Sequence, residues 1–177
     1  MSTIKIHDKY FIPFISEAEL SDKIKQLGKD ISSDYADKNP LFIAILNGSF
    51  MFSSDLFKNL SIDAEICFIK LASYKGTKST GQVITAIGLD MDIKGRHIII
   101  IEDIVDTGKT LSQFIPQIEN QQPASLKVAV LLHKPDAAVY RITIDYCCFS
   151  IEDKFVVGFG LDYKGLGRNI PSIYQLQ

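Results

Sequence analysis

Hydrophobic and polar positions recur along the chain with two periodicities, one typical of helices and one typical of strands. After a capping box at residues 16–19, apolar residues follow every three or four positions, which predicts a helix that ends near Ser33. A second helix is predicted over 51–60 and a third from Gly108 onward. Apolar runs or alternation predict strands over 41–46, 62–68, 82–88, 98–101, 126–132, 142–150 and 155–161. Strands that alternate with helices are typical of an α/β domain whose central sheet is mainly parallel.

The third predicted helix has a proline within it. Leu111, Phe114, Ile115 and Ile118 are spaced so that one face of the helix would be buried. Pro116 lies between them and has no backbone N–H to donate to the preceding turn. We therefore expect this helix to be kinked or shortened at the proline.

Residues 98–111 read Ile-Ile-Ile-Ile-Glu-Asp-Ile-Val-Asp-Thr-Gly-Lys-Thr-Leu and are the most informative part of the chain. Four β-branched residues in succession predict a strand that is buried on both faces. Two adjacent carboxylates, Glu102 and Asp103, follow, and the turn over 107–110 could begin a helix. Such a turn offers an anion free backbone N–H groups, two hydroxyl groups and the positive end of a helix dipole. The simplest ligand that carries a phosphate at one end and hydroxyls at the other is a sugar phosphate.

The end of this segment, Gly108-Lys109-Thr110, also matches the end of a nucleotide-binding P-loop. That motif needs a second glycine five residues before Gly108, where this chain has Asp103. A carboxylate at that position would repel the phosphates that the loop must wrap, so the P-loop interpretation fails. An ordinary strand–turn–helix with polar residues in its turn remains the alternative to a sugar-phosphate site.

Composition narrows the classes of function. The 177 residues are 46% hydrophobic and 23% charged, which predicts one domain, residues 1–177, with a full apolar core. The net charge is −2 and the sequence pI is near 5.9, whereas nucleic-acid-binding proteins usually carry an excess of basic residues. The charge therefore disfavours nucleic-acid binding. The first ten residues are charged and the longest apolar runs are of strand length, so we expect a soluble, cytoplasmic protein without secretory signal or membrane span. Cys67, Cys147 and Cys148 show no metal-ligand spacing and are expected to be buried, reduced thiols.

Residues 102–110 resemble the phosphoribosyl pyrophosphate signature of the type I phosphoribosyltransferases, in detail that of the hypoxanthine-guanine branch, and the resemblance extends over roughly residues 42–168. It implies a mainly parallel central sheet flanked by helices, with a small hood and a flexible loop. It also implies that Glu102 and Asp103 bind the ribose hydroxyls and Mg²⁺, and that Asp106 faces N7 of the purine as the general base. The residues that would bind the 5-phosphate are Asp106, Thr107, Gly108, Lys109 and Thr110.

Later segments resemble the purine-binding part of the same family. Lys134 follows a predicted strand, and strand ends in open α/β sheets face the ligand crevice. The resemblance implies that Lys134 contacts the exocyclic O6 of the base. Phe155 would stack on the purine, and Val156 would contact the edge of the base through its backbone. Asp162 would bind a magnesium ion near the base, and Arg168 would bind pyrophosphate.

Two loops complete the expected site. Residues 75–81 contain two glycines and no apolar side chain, so composition predicts a mobile loop, either a plain hairpin or a lid. Ser73 and Tyr74 at its start match the family loop that closes over the active site, which favours the lid. Residues 46–49, Leu-Asn-Gly-Ser, lie where the family binds pyrophosphate, here through Asn47 and Gly48. Asn47 stands where the family often has lysine, so its side-chain role stays open, and some members have a cis peptide at this point.

Together these residues predict a Mg²⁺-dependent purine-salvage transferase for 6-oxopurines. It would combine hypoxanthine, guanine or xanthine with phosphoribosyl pyrophosphate and release the nucleoside 5′-monophosphate (IMP or GMP for the first two bases) and pyrophosphate. One alternative is a non-catalytic regulator on the same fold that binds nucleotides and RNA, which the acidic pI and the complete set of catalytic side chains disfavour. The other is a transferase for another base, such as xanthine, adenine or a pyrimidine. The family implies a homodimer or homotetramer.

Overall fold

The computed structural model describes residues 2–73, 83–87, 89 and 91–177, which form two β-sheets and three α-helices. The strands are β1 (Ile4–Ile6), β2 (Lys9–Ile15), β3 (Leu41–Leu46), β4 (Glu65–Ser73), β5 (Val83–Ile87), β6 (His97–Val105), β7 (Ser125–His133), β8 (Tyr146–Ser150), β9 (Val156–Val157) and β10 (Ile173–Leu176). The helices are α1 (Glu17–Asp34), α2 (Phe50–Lys58) and α3 (Lys109–Glu119), and a short 3-10 turn covers Pro135–Ala137. Across the described ranges, no helix combines the length and the apolar character needed to cross a membrane.

The larger sheet confirms the predicted α/β fold. Its strand order is β5-β4-β3-β6-β7-β8, and all neighbours are parallel except β5, which pairs antiparallel with β4. The four isoleucines of β6 are fully buried, as the run of β-branched residues predicts. Ile98 and Ile100 pack into the cluster under α3, whereas Ile99 and Ile101 pack into the cluster with α1 and α2. Successive side chains on a strand point to opposite faces, so this one segment supplies both layers of the core.

A second, four-stranded antiparallel sheet forms the hood over one edge of the molecule. Its order is β1-β2-β10-β9, and its small core consists of Ile6, Phe11, Val157 and Tyr174. The pairing of β2 with β10 joins the two ends of the chain. Periodicity did not predict β1, β2 or β10. β1 has only three residues, β2 contains Pro13 and does not alternate between buried and exposed positions, and β10 has four residues whose partner β2 is far away in sequence.

Several predicted boundaries agree with the structure. The capping box at Ser16 and Glu19 is present, and α1 ends at Asp34, one residue beyond the predicted end. The strand predicted over 41–46 is β3 without change, and α2 covers most of the predicted 51–60. The predicted returning strand over 82–88 is β5, and its two flanking residues lie outside the described part of the chain. Helix α3 continues through Pro116 and ends three residues later at Glu119, while Ile115 is only half-buried.

Four predicted strands have the wrong extent. The strand expected over 98–101 continues through the two carboxylates to residue 105 as β6. The strand expected over 62–68 begins at Glu65, whose N–H donates to the carbonyl of Pro40, and continues to residue 73. The strand expected over 142–150 begins four residues later, because Ile142 and Ile144 pack against the core under α3 without pairing in the sheet. The strand expected over 155–161 is reduced to β9, since the left-handed backbone at Gly158 (φ +98°) ends it and residue 158 pairs back with residue 161 in an isolated bridge.

The three cysteines are free thiols that differ in burial. Cys148 points into the core from β8, and burial raises its pKa to about 12. Cys147 is exposed and Cys67 is half-buried. The expectation that all three thiols are buried is therefore wrong for Cys147 and only partly met by Cys67.

Candidate active site

The predicted functional residues gather at one edge of the large sheet, where β3, β6 and β7 end side by side. The carboxyl ends of parallel strands meet at a common edge, which is where open α/β sheets bind ligands. The loop after β3 carries Gly48, the end of β6 carries the paired carboxylates, and Lys134 directly follows β7. The hood contributes the opposite wall through the segment from Phe155 to Arg168.

Glu102 and Asp103 are the sixth and seventh of the nine residues of β6, which continues to Val105. As neighbours on a strand they point to opposite sides and line different cavities. Burial and the charge of Asp103 raise the pKa of Glu102 well above its usual range, and its Oε2 is buried without a hydrogen-bond partner among the described residues. Burial also raises the pKa of Asp103 to about 6, although the backbone N–H of Ile104 partly offsets this. Both carboxylates are therefore poorly solvated as anions and suited to a cationic partner.

The turn after β6 forms the first cavity, of about 90 Å³, lined by residues 104–111 and Glu102. Gly108 has φ +78°, and a side chain there would place its Cβ 2.6 Å from the carbonyl oxygen of Tyr140. The carbonyl of Thr107 accepts hydrogen bonds from the N–H groups of Val139 and Tyr140, at 3.1 and 2.9 Å. Helix α3 begins at Lys109, so its free N–H groups and positive dipole end face this turn, the arrangement that binds a phosphate.

The second cavity, of about 180 Å³, brings together most of the residues predicted to bind the purine. It lies between the sheet edge and the hood, and it is lined by Asp103, Ile104, Asp106, Lys134, Phe155, Val156, Leu161, Asp162 and Arg168. Asp106 lines both cavities and thus stands between the phosphate turn and the purine side. Six residues that the sequence analysis assigned to a purine, its magnesium ion or pyrophosphate are therefore neighbours in space.

Lys134 is buried between two carboxylates. Only 5% of the residue is exposed, and its Nζ lies 3.0 Å from Oδ1 of Asp153 and 3.4 Å from Oδ2 of Asp106. Its backbone N–H donates to the carbonyl of Val105, which fixes the end of β7 against β6. Sequence reasoning missed Asp153: it stands in the motif over 153–158, but no spacing rule connects it with Lys134.

Phe155 and Val156 lie at the free edge of the hood. The Phe155 ring is 46% exposed and contacts the rings of Tyr163 and Phe11, with centroids 5.8 and 6.3 Å away. The carbonyl of Phe155 accepts a hydrogen bond from the N–H of Leu176 on β10. In an antiparallel pair, residues whose N–H and C=O bind the neighbouring strand alternate with residues whose N–H and C=O do not. The N–H and C=O of Val156 therefore point away from β10, toward the cavity that Val156 lines.

Asp162 and Arg168 form an ion pair in the hood segment that packs against the loop after β3. Nη2 of Arg168 lies 2.5 Å from Oδ1 of Asp162, and its Nη1 donates to the carbonyl of Gly160 at 2.7 Å. A Cβ on Gly160 would lie 2.0 Å from the carbonyl oxygen of Gly48, and a Cβ on Gly48 would lie 1.5 Å from Oδ2 of Asp103. Close packing of two glycines thus brings the arginine, the loop and the Asp103 carboxylate together.

Two predicted loops contribute less to the described geometry. The Leu46–Asn47 peptide is cis, as in some members of the family. Asn47 is exposed and lines neither cavity, so its side chain contributes to neither of them. Of the predicted lid, only the backbone of Ser73 at the end of β4 is described, whereas Tyr74 and residues 75–81 lie outside the described residues.

The carboxylates could supply ligands to Mg²⁺, but they do not form a complete coordination shell for it. Within the described ranges, no three histidine, cysteine or acidic side chains converge as one cation site, so Glu102, Asp103 and Asp162 do not share a single ion. Mg²⁺ is commonly held by one or two carboxylates while substrate phosphates and waters complete its shell. The unpaired, buried Oε2 of Glu102 is an oxygen that such an ion would satisfy.

Comparison with known proteins agrees with this geometry. Residues 16–164 match the family described as the phosphoribosyl transferase domain. A hypoxanthine-guanine phosphoribosyltransferase from Streptococcus pneumoniae is 42% identical over 160 residues, covering 90% of this chain and 89% of that protein. The crystal structure of a hypoxanthine-guanine phosphoribosyltransferase from Bacillus anthracis has a TM-score of 0.88 at 36% identity, covering 94% of this chain and 98% of that one. The crystal structure of a hypoxanthine phosphoribosyltransferase from Staphylococcus aureus has a TM-score of 0.89 at 37% identity, covering 94% of this chain and 91% of that one. The chain therefore belongs to the phosphoribosyltransferase family.

Proposed function

We propose that the protein is a 6-oxopurine phosphoribosyltransferase of purine salvage. It converts hypoxanthine and guanine, with phosphoribosyl pyrophosphate, to IMP and GMP and releases pyrophosphate. The observation that carries the proposal is the second cavity, where a carboxylate, a buried ammonium, an exposed aromatic ring and free backbone groups surround a space of about 180 Å³. Relatives at 42% identity that bear the name hypoxanthine-guanine phosphoribosyltransferase support the same substrates.

The reaction breaks the bond between C1 of the ribose and the pyrophosphate oxygen and forms a bond from C1 to N9 of the purine. The N7 proton of the purine must then leave. Asp106 is the proposed general base, because it lies between the phosphate turn and the purine cavity and its side chain is half-exposed. The turn over 106–110 binds the 5-phosphate through Thr107, Gly108, Lys109 and Thr110 at the start of α3.

The purine is selected and held by the hood and by the end of β7. Lys134 donates to O6 of a 6-oxopurine, whereas the amino group of adenine would present another donor to the ammonium. Phe155 stacks on the ring system, and Val156 offers its backbone N–H and C=O to the edge of the base. This set of donors and acceptors suits hypoxanthine and guanine better than adenine.

The pyrophosphate side relies on Arg168 and on the loop after β3. The guanidinium of Arg168 already pairs with Asp162 and still has N–H donors for a phosphate oxygen. Asn47 and Gly48 would contribute backbone N–H groups, and Ser73 and Tyr74 would begin the closing loop. Glu102 and Asp103 would bind the ribose hydroxyls and one Mg²⁺, and Asp162 would bind a second near the base. Bound Mg²⁺ would neutralise charge on the leaving pyrophosphate.

We further propose that residues 1–177 form a single domain, that the protein is cytoplasmic and that it assembles as a homodimer or homotetramer. The match over residues 16–164 and the continuous core around the large sheet support one domain. Light scattering after gel filtration would measure the assembly, and a monomer would contradict it.

A turnover assay with radiolabelled bases tests the proposed function directly. Hypoxanthine, guanine, xanthine and adenine are each incubated with the protein, phosphoribosyl pyrophosphate and Mg²⁺, and labelled nucleotide is separated from base. We expect IMP and GMP to form, xanthine to react more slowly and adenine not to react. Preferential use of adenine or a pyrimidine would contradict the base assignment, and nucleotide binding without turnover would indicate a regulator.

A further inference from the structure

Lys134 is 5% exposed, and two carboxylates share its ammonium group. Its Nζ is closer to Asp153, at 3.0 Å, than to Asp106, at 3.4 Å. Both carboxylates approach the ammonium from loops, and the side chains of Asp153 and Asp106 are 64% and 50% exposed, respectively. A buried ammonium without a partner is costly, so at least one carboxylate must remain beside it throughout the reaction.

Asp106 cannot be that permanent partner in the proposed function, on which this inference rests. When Asp106 accepts the N7 proton, its carboxyl group becomes neutral. The ammonium with two carboxylates carries a net charge of minus one before the transfer and zero after it. Without Asp153, the same group would change from zero to plus one and leave the ammonium of Lys134 unpaired in a buried position.

Backbone contacts hold Asp153 close to the end of β7. The N–H of Ile151 donates to the carbonyl of His133, the residue before the buried lysine, at 2.8 Å. Two residues after Asp153, the carbonyl of Phe155 is bound by the N–H of Leu176. Asp153 therefore belongs to a short connection that is fixed to the large sheet at one end and to the hood at the other.

We propose that Asp153 is a positioning residue that holds Nζ of Lys134 where O6 of a 6-oxopurine binds. An ammonium has three N–H donors, so one can bind Asp153 while another remains for O6. Asp106 is then released from Lys134 to serve N7 without loss of the ammonium's position. By this arrangement Asp153 contributes to the choice of base although it does not touch the purine.

Steady-state kinetics of three variants test the positioning role. Asp153→Asn removes the charge but keeps the size, Asp153→Glu restores the charge, and Glu152→Gln removes a neighbouring charge that pairs only weakly, at 3.7 Å, with Lys154. For Asp153→Asn we expect kcat/KM for hypoxanthine to fall by about tenfold. This is more than the loss of an exposed ion pair costs and less than the largest loss of a hydrogen bond to a charged group. The KM for phosphoribosyl pyrophosphate and the melting temperature should stay unchanged. Asp153→Glu should recover much of the loss, and Glu152→Gln should behave like the unaltered protein.

Chemical modification supplies a second readout that does not depend on turnover. The Lys134 amine is acetylated with a soluble reagent, and its modification rate is measured by mass spectrometry in each variant. Loss of Asp153 weakens the hold on the ammonium, so Lys134 should react severalfold faster in Asp153→Asn and no faster in Glu152→Gln.

Three outcomes would overturn the positioning role. One is an unchanged kcat/KM for hypoxanthine together with an unchanged modification rate of Lys134. Another is a fall of kcat/KM for hypoxanthine in Glu152→Gln as large as in Asp153→Asn, which would mean a general effect of removing a negative charge. The third is a parallel change of both KM values with lower thermal stability, which would mean a merely structural role. Failure of the unaltered protein to consume hypoxanthine would instead contradict the proposed function, while the modification rates would still decide whether Asp153 holds Lys134.

Discussion

The two halves of the candidate site are built in different ways. The phosphoribosyl half is one continuous segment, the end of β6 and the turn before α3, and its residues follow each other from Glu102 to Thr110. The purine half combines Asp106, the residue after β7, the connection between β8 and β9, and the hood. The first half is one backbone segment that hydrogen bonds from Val139 and Tyr140 hold in place, whereas the second depends on the hood being docked against the sheet edge.

This difference has consequences for how each half responds to change. The turn is fixed by a glycine with positive φ and by hydrogen bonds from Val139 and Tyr140, so most side-chain substitutions should leave its backbone in place. The purine half depends on single side-chain contacts, such as those of Lys134 with its two carboxylates and of Phe155 with Tyr163. Substitutions there should alter base recognition while phosphoribosyl pyrophosphate still binds.

The largest effect is expected at Asp106, which belongs to both halves. Asp106→Asn keeps the size of the side chain but cannot accept the N7 proton. Loss of a general base should lower kcat by ~10²–10⁴ with little change in the melting temperature. Rapid-quench or steady-state assays with hypoxanthine would measure this, and turnover at the unaltered rate would exclude Asp106 as the base.

Lys134→Gln should separate the two halves. A neutral amide can donate to O6 or accept from an amino group, so it no longer favours a 6-oxopurine. The ratio of kcat/KM for hypoxanthine to that for adenine should fall by ~10²-fold, as expected when one partner of a buried charged hydrogen bond is removed. The KM for phosphoribosyl pyrophosphate should change little. If both KM values rose together, the two halves would not be independent.

Gly48→Ala should affect the opposite half. The new Cβ would lie 1.5 Å from Oδ2 of Asp103, so the carboxylate or the loop must move. We expect the KM for phosphoribosyl pyrophosphate to rise by about tenfold while the KM for hypoxanthine stays within twofold, because a small displacement of a positioning group costs this much or more.

Gly95→Ala is the control for that substitution. No atom lies within 4 Å of the Cβ position of Gly95, and its φ of +70° adds backbone strain that Gly48, whose φ is not positive, does not have. Gly95→Ala should therefore lower the melting temperature without a change in either KM. An equal rise of the KM for phosphoribosyl pyrophosphate in both variants would mean that a general loss of stability, and not the contact with Asp103, is responsible.

The smallest effect concerns stability and pH. The pKa of Asp103 is raised to about 6 from 3.8, so the folded protein binds more protons than the unfolded chain between about pH 4 and 6. The free energy of unfolding should therefore fall as pH rises through this window. In the metal-free protein, Asp103→Asn should reduce this dependence to what the raised pKa of Glu102 contributes. It should raise stability at pH 7 by about 1–2 kcal/mol, less than the full shift because Asp103 is not fully buried.

Urea denaturation in EDTA at pH 4.5 and pH 7 would measure this difference. Addition of Mg²⁺ with phosphoribosyl pyrophosphate should stabilise the unaltered protein more than the variant. A variant that is less stable than the unaltered protein at pH 7 would show that Asp103 is favourably solvated and not held for a cation.

The sequence by itself determined the elements whose signals are local. The capping box at Ser16 set the start of α1, four consecutive isoleucines set the buried centre of the sheet, and the turn ending in Gly108 set the phosphate half. In the first two of these, the residues that cause the structure lie within a few positions of one another, whereas the turn also accepts hydrogen bonds from the distant N–H groups of Val139 and Tyr140. The order of motifs, through the family resemblance, also identified most residues of the purine half, although not their contacts.

Only the tertiary structure decided what depends on contacts between distant segments. The hood forms because β2 pairs with β10 across most of the chain, and a pairing between such distant segments leaves no local pattern in the sequence of either strand. The strand predicted through residue 161 ends at Val157, since the backbone at Gly158 must turn for the hood to meet the sheet. The contact of Asp153 with Lys134 exists because the end of β8 is bound to the end of β7. Such contacts depend on how loops close in three dimensions, which the identity of neighbouring residues does not specify.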